Sequence, residues 1–295
     1  MKRREFLKGS VITAGAMVLP VCTGRQPFPH HLFASTLKKY ASDRVKLGAT
    51  GITLSRLAMG TGTNGAGRSS NQTRQLGLRG LADLLHAAYD QGVNFWDSAD
   101  QYGSHPHLKA ALKTIPREQV VILSKTHATT EKQMRADLER FRQELGTDYI
   151  DIVLLHCMMD ANWPAHKEGA MSVLAQARAD GLIRAHGVSC HTLGALRAAA
   201  ECDWVQVDLA RINPAGVNMD ADVSTVAALL KKMKQAGKGV MAMKVLGAGR
   251  LRHRIDESLQ YMLAQDFVDC FTIGTESREQ MEDLLKRIPP ASVRG

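Results

Sequence analysis

Aromatic residues make up only 5% of the chain, and the five cysteines form no Cys-x-x-Cys pair. The cysteine spacing gives no zinc ribbon and no thioredoxin-type redox pair. Cys22, Cys157, Cys190, Cys202 and Cys270 therefore read as free thiols, with Cys157–Cys190 the one bridge an oxidising compartment would permit. The apolar stretch at 11–21 falls short of the roughly 20 residues a membrane-spanning helix needs. Basic residues outnumber acidic ones, 38 to 29, for a net charge of +9, yet they are spread out and not interleaved with aromatics. That distribution speaks against nucleic-acid binding and for a solvated, mildly basic surface.

What is present is ordinary globular composition, 44% hydrophobic and 23% charged over 295 residues. The length suits one α/β barrel of about 250 residues with an extension. The extension is at the N-terminus. Lys2, Arg3, Arg4 and Lys8 precede the apolar stretch 11–21, the layout of a secretory signal. The Arg3-Arg4 pair followed by Glu5-Phe6-Leu7-Lys8 resembles the bacterial twin-arginine signal. This predicts a signal segment over 1–22, a linker over 23–43 rich in proline and paired histidines, and a barrel over 44–295. Export to the periplasm follows, with no stable membrane insertion once the signal is removed. Cys22 sits in a weak lipoprotein-like box, so a lipid-anchored form is the minor alternative.

From residue 44 the pattern is regular. Segments 45–48 and 52–55 flank Ala49-Thr50-Gly51 as a short hairpin. Eight strand-then-helix units follow, with strand cores at 57–60, 93–97, 120–124, 150–156, 184–189, 204–209, 239–245 and 268–273. The strands are short and apolar throughout, as strands covered on both faces are. Between them lie helical stripes such as Leu81, Leu84, Leu85 and Ala88; Met134, Leu138, Phe141 and Leu145; and Val226, Leu229, Leu230 and Met233. Gly92, Gly146, Gly181 and Gly237 stand where helices should stop. Strict βα alternation eight times over predicts a closed, parallel (β/α)8 TIM barrel with an N-terminal hairpin. Gly60-Thr61-Gly62-Thr63-Asn64-Gly65 matches G-x-G-x-x-G, but no helix opens at its last glycine. It reads as a barrel loop, not a dinucleotide-binding turn.

Barrel enzymes carry their chemistry at the C-terminal ends of the strands. Asp97 ends the second strand, with Tyr102 five residues on. Lys125 ends the third and His156 the fourth. These four suit carbonyl reduction. Hydride added to a carbonyl carbon leaves charge on oxygen, and a phenol can supply the proton. A neighbouring ammonium is expected to lower the phenol's pKa, a carboxylate to hold the ammonium, and an imidazole to orient the oxygen.

The set Asp97, Tyr102-Gly103, Lys125 and His156 resembles the catalytic pattern of the aldo-keto reductase family, over roughly residues 44–288. The resemblance implies a nicotinamide cofactor, NADP or NAD, a small carbonyl or alcohol substrate, and Tyr102 as general acid/base. It also implies cofactor contacts from Thr61, from Ser189 and Gln206 at the nicotinamide carboxamide, and from Met243 and Lys244 after the seventh strand. Leu246, Gly247 and Gly249 would form the pyrophosphate loop, and Gly274, Glu276 and Gln280 would surround the adenosine. Glu276 replaces the arginine often found near the 2′-phosphate, which implies a weaker NADP preference or a shift to NAD, with Arg278 two residues away as a compensating charge. Trp96, the 61–78 loop and the 158–167 loop with Trp163 are expected to line the substrate pocket. Two other readings stand beside this one. The first is a metal-dependent hydrolase using His105, His107, His127 and His156 with Cys157 beside them. The second is a non-catalytic cofactor-binding sensor or accessory subunit.

Overall fold

A computed structural model describes residues 38–293; the expected signal, Cys22 and most of the expected linker lie outside these residues. The first described residues lie against the barrel. The Lys39 ammonium donates to the Leu263 carbonyl at 2.5 Å, and Ala41 is buried.

Two short strands, β1 (Arg44–Lys46) and β2 (Thr53–Ser55), pair antiparallel as the expected hairpin. Leu47, Ile52 and Leu54 are fully or almost fully buried in the same cluster as the barrel's inward-facing residues. The hairpin therefore closes the N-terminal end of the barrel, which leaves the opposite end for the site.

The barrel strands are β3 (Leu57–Gly60), β4 (Phe95–Asp97), β5 (Val121–Thr126), β6 (Ile150–Met158), β7 (Ile183–Cys190), β8 (Val207–Arg211), β9 (Gly239–Met243) and β10 (Cys270–Gly274). All neighbouring pairs are parallel, and β10 pairs with β3 to close the ring. Alternation along each strand sorts the side chains. Phe95, Leu123, Leu154, Val207 and Leu209 fill the interior, while Trp96, Ile122, Val153 and Ala210 face the helices.

The helices are α1 (Asn71–Asp90), α2 (His105–Ala111), α3 (Glu131–Leu145), α4 (Trp163–His166), α5 (Glu168–Ala179), α6 (Leu193–Glu201), α7 (Val223–Gln235), α8 (Ile255–Ala264) and α9 (Arg278–Ala291). The predicted stripes are the buried faces, with Leu229 alone only partly covered. Gly92, Gly146, Gly181 and Gly237 all have positive φ at helix ends. Gly77, also at positive φ, breaks α1 internally. Strand β4 begins two residues later than expected, and the Asn94 N–H donates to the Ser55 hydroxyl at 3.1 Å instead of to a neighbouring strand; the Asn94 side chain is engaged as well. Its amide accepts from the Ser55 N–H and donates to the Gln119 carbonyl, tying the strand entrance to the hairpin.

Candidate active site

Asp97, Tyr102, Lys125 and His156 converge at the C-terminal mouth. Lys125 is buried, and its ammonium is held between the Asp97 carboxylate and the Ser98 carbonyl. The other Asp97 oxygen accepts from Thr272 on β10 at 2.9 Å. Asp97 is thereby fixed from two strands, and it fixes the ammonium. A pair this deeply buried is useful for placement more than for stability, because desolvation offsets its Coulomb gain.

Lys125 Nζ lies 4.7 Å from the centre of the Tyr102 ring, over its face. His156 meets the same ring edge-on, with centroids 5.7 Å apart at 84°. The ammonium does not lower the phenol's pKa, contrary to the sequence expectation. Burial pushes Tyr102 far above the ordinary tyrosine value, and the Asp97 carboxylate adds to the effect. Lys125 is already neutralised by Asp97, so little of its charge is left to stabilise a phenolate. His156 is moved the other way. Burial, then the charge of Lys125, holds it well below the usual imidazole value, and its Nδ1 has no hydrogen-bond partner. At neutral pH the site therefore presents a protonated phenol and a neutral imidazole.

Tyr102 is positioned by the loop at 61–70. A Cβ on Gly62 would lie 2.5 Å or less from three atoms of the Tyr102 ring, and one on Gly65 would overlap the ring's other side chain edge. Neither glycine has positive φ. Close approach, not backbone conformation, excludes a side chain there. The G-x-G-x-x-G stretch thus grips the phenol, and the following helix opens only at Asn71, capped by Ser70. The loop that carries Tyr102 is pinned by ions as well. Arg140 forks onto Asp100 at 2.7 and 3.0 Å.

A cavity of about 920 Å³ runs from this cluster along the ends of β9 and β10 to α9. Seven expected cofactor residues line it: Met243, Lys244, Leu246, Gly249, Gly274, Glu276 and Gln280. Gly247 is buried within the turn, where its N–H donates to the Lys244 carbonyl. Glu276 lies just before α9 and accepts from the Asn71 side-chain amide at 2.8 Å. The cavity's volume and its glycine turn fit a dinucleotide, with Glu276 placed as an acceptor for a ribose hydroxyl.

Thr61, Ser189 and Gln206 are not among the residues that line this cavity. Thr61 is buried and does not line the cavity; its hydroxyl donates to the Asp97 carbonyl at 2.9 Å and so supports the strand end. Ser189 is buried, with its hydroxyl accepting the Cys157 N–H. Gln206 precedes β8, where its side chain accepts the His186 N–H, and it is not among the residues lining the cavity. Leu209, further along the same strand, faces the cavity instead. Trp96 and Trp163 are buried against the helices, and the Trp163 indole donates to the Ala195 carbonyl. Both tryptophans fall outside the cavity because each sits on the outward parity or beneath a neighbouring helix.

The metal alternative loses its donor set. His105 is taken by Glu144 and Ser124, at 2.8 and 2.7 Å, while His127 stacks on His156. Among the described residues no group of three or more potential ligands converges. Cys157, Cys190, Cys202 and Cys270 are free thiols.

Sequence reasoning missed His191, Arg252 and Asp283, which line the cavity, and Thr272, which holds Asp97. None of the four belongs to a recognisable motif, and none carries a sequence pattern of its own.

A closed parallel barrel with acid, phenol, amine and imidazole gathered at its mouth defines a barrel oxidoreductase architecture. Residues 56–288 match the model of the aldo/keto reductase family, and the chain belongs to that family. It is 30% identical over 169 residues to the NADH-specific methylglyoxal reductase of Escherichia coli (strain K12), covering 50% of this chain and 51% of that enzyme. It is 26% identical over 220 residues to a D-threo-aldose 1-dehydrogenase of a Pseudomonas species, covering 63% and 66%. The matches thus span about half and just under two thirds of those enzymes' lengths. A solved structure described as an aldo-keto reductase of Pseudomonas aeruginosa superposes with a TM-score of 0.70 at 25% identity, over 88% of this chain and 99% of that one. Enzymes of this family are oxidoreductases that work with nicotinamide dinucleotides.

Proposed function

We propose that this protein is a carbonyl reductase that uses NADH in preference to NADPH, with Tyr102 as the proton donor. The observation that carries the reading is the Tyr102 phenol, gripped by Gly62 and Gly65, faced by Lys125 and edged by His156 at the end of a dinucleotide-sized cavity. A bound reduced nicotinamide supplies the hydride. The chain does the rest. Tyr102 holds its proton at neutral pH and releases it to the oxygen as charge develops there. His156, neutral and with an unused ring nitrogen, orients that oxygen. Asp97 keeps Lys125 from straying, and the apolar interior below keeps water out. Glu276 supports NADH, since a carboxylate accepts from a ribose hydroxyl and repels a 2′-phosphate.

Small aldehydes of the kind named in its relatives, methylglyoxal among them, are the first substrates to assay. Replacing Tyr102 by Phe removes the proton and keeps the ring. Turnover should fall on the order of a hundredfold or more. An unchanged rate would refute the assignment.

The N-terminal Arg3-Arg4 pattern supports export by the twin-arginine route. On this reading the folded enzyme carries its dinucleotide out of the cytoplasm, and tight binding stabilises the fold by mass action. Protein purified from the periplasm, then denatured, should release about one dinucleotide per chain; release of none would sink the idea.

A further inference from the structure

We propose that the barrel-axis end of the cavity receives an anionic group, a carboxylate carried by the carbonyl substrate, and that Lys244 and His191 hold it. The inference rests on the carbonyl-reductase reading of the same site.

Away from the barrel axis the cavity is lined by the acids Glu276 and Asp283 and by the cation Arg252. The wall over the barrel axis is made by His156, His191 and Lys244. The acids near that wall are spent elsewhere. Asp97 is engaged by Lys125 and Thr272, and Asp220 by Arg211. The Lys244 ammonium is partly buried and has neither an ion pair nor a hydrogen bond, and the His191 ring has none either. Leaving an ammonium half out of water with no counter-charge is costly, so such a group marks a place where an anion binds. The mutual strain is visible in both groups. Burial, with Arg211 and Lys244 beside it, pushes His191 down to about 4, and burial with Arg211 and Lys125 lowers Lys244.

The family resemblance counts Lys244 among the cofactor contacts. Its surroundings point to the substrate. The charges acting on it most strongly are Arg211, Lys125 and Asp97, at the ends of β8, β5 and β4 around the barrel axis. Lys244 also adopts a left-handed backbone, at φ 58, immediately after β9, which turns the chain at the strand end. A carboxylate bound here would share the end of the cavity with Tyr102 and His156 and leave the turn at 246–249 for phosphates.

The test uses the full protein with saturating NADH. 4-Carboxybenzaldehyde is compared with benzaldehyde by kcat/KM, and benzoate with benzyl alcohol by calorimetric titration. A charge-assisted contact predicts a preference of about tenfold or more for each charged partner. Lys244→Met should bring both ratios toward one, and His191→Asn should lower them partway. Equal turnover of the two aldehydes, with benzoate binding no tighter than benzyl alcohol, would overturn the inference and leave the reductase reading standing. A Lys244→Met protein that binds NADH more weakly yet keeps both ratios would assign the ammonium to the pyrophosphate and likewise overturn it. If neither aldehyde is turned over but benzoate binds in a Lys244-dependent way, the anion site stands and the reductase reading fails.

Discussion

Gly62 lies so close to the Tyr102 ring that a single methyl group on its Cα would occupy the ring's own space. The ring cannot yield outward easily, because Gly65 meets it as well and Lys125 covers its face. Gly62→Ala should therefore shift the phenol by something like an ångström. A displacement of that size costs about a hundredfold in turnover. The expected signature is a fall in kcat much larger than any change in cofactor affinity, with little loss of thermal stability. Gly194→Ala is the control, since its new Cβ would approach nothing nearer than 3.5 Å. Equal activity in the two variants would show that the glycine grip is incidental.

The directions of the Tyr102 and His156 shifts set a pH profile. Tyr102 is raised above the tyrosine range, so its proton is retained as pH rises through neutrality and into the alkaline range. His156 is held well below the imidazole range and protonates only in acid. Neither group changes charge between about pH 6 and 9. The kcat/KM for carbonyl reduction should be flat across that window. Alcohol oxidation, which needs Tyr102 to accept a proton, should climb with pH through the same range. A reduction profile with an apparent pKa near the free imidazole value would mean that His156, not Tyr102, is the titrating acid.

Much of this architecture was legible from residue order. Strict strand–helix alternation is enough to fix a parallel barrel, and polar residues at strand ends stand out because the strands are otherwise apolar. Asp97, Lys125 and His156 stand out for that reason. Trp96 was misplaced for the converse reason, whereas Trp163 is held on α4 by the Ala195 carbonyl, a contact that no local pattern encodes. A strand covered on both faces carries no polar–apolar alternation, so nothing in the letters tells which residues face the axis. Trp96 points to the helices and Phe95 to the interior, although both are aromatic. The glycines of residues 60–65 were visible, but their use was not. Gripping Tyr102 is a contact between residues some 40 positions apart, and no local pattern encodes it. His191 and Thr272 went unseen because their importance comes from the neighbours the barrel brings to them.

Asp208 predicts a stability effect away from the site. It is fully buried on β8, where the Cys190 thiol is the polar group beside its carboxyl. Burial, reinforced by the charge of Asp220 and only partly offset by the Cys190 thiol and Lys238, pushes its carboxyl up to about 7, well above the ordinary aspartate range. The folded state therefore binds this proton more tightly than the unfolded chain. Stability contributed by the protonated form is full below about pH 4 and is lost progressively as pH rises to about 7. At about 1.4 kcal/mol per pK unit, the loss above neutrality is on the order of a few kcal/mol. Asp208→Asn removes the ionisable group at nearly constant volume. It should raise the melting temperature at pH 8 and change it little at pH 4. A variant equally or less stable than the parent at pH 8 would show that the carboxylate is accommodated without penalty.

Glu276 gives the sharpest test of cofactor choice. Its carboxylate lines the outer end of the cavity just ahead of α9, fixed by the Asn71 amide at 2.8 Å, while the Gln280 side chain accepts the Glu276 N–H at 2.9 Å. A helix N-terminus would by itself attract a phosphate. The fixed carboxylate cancels that attraction and leaves an acceptor suited to a ribose hydroxyl. Arg278, on the first turn of α9, pairs with Glu282 at 2.9 Å, so it is already engaged and poorly placed to compensate. The parent should therefore bind NADH more tightly than NADPH. Glu276→Gln removes the repulsion without adding a charge, and Glu276→Arg adds a partner for the 2′-phosphate. The NADPH/NADH affinity ratio should rise about tenfold in the first and further in the second, read by quenching of intrinsic fluorescence on titration. Affinity for NADH should fall in both, because the ribose acceptor is weakened or lost. A parent protein that already prefers NADPH, with a ratio indifferent to Glu276→Gln, would place the 2′ position elsewhere in the cavity and refute the NADH assignment.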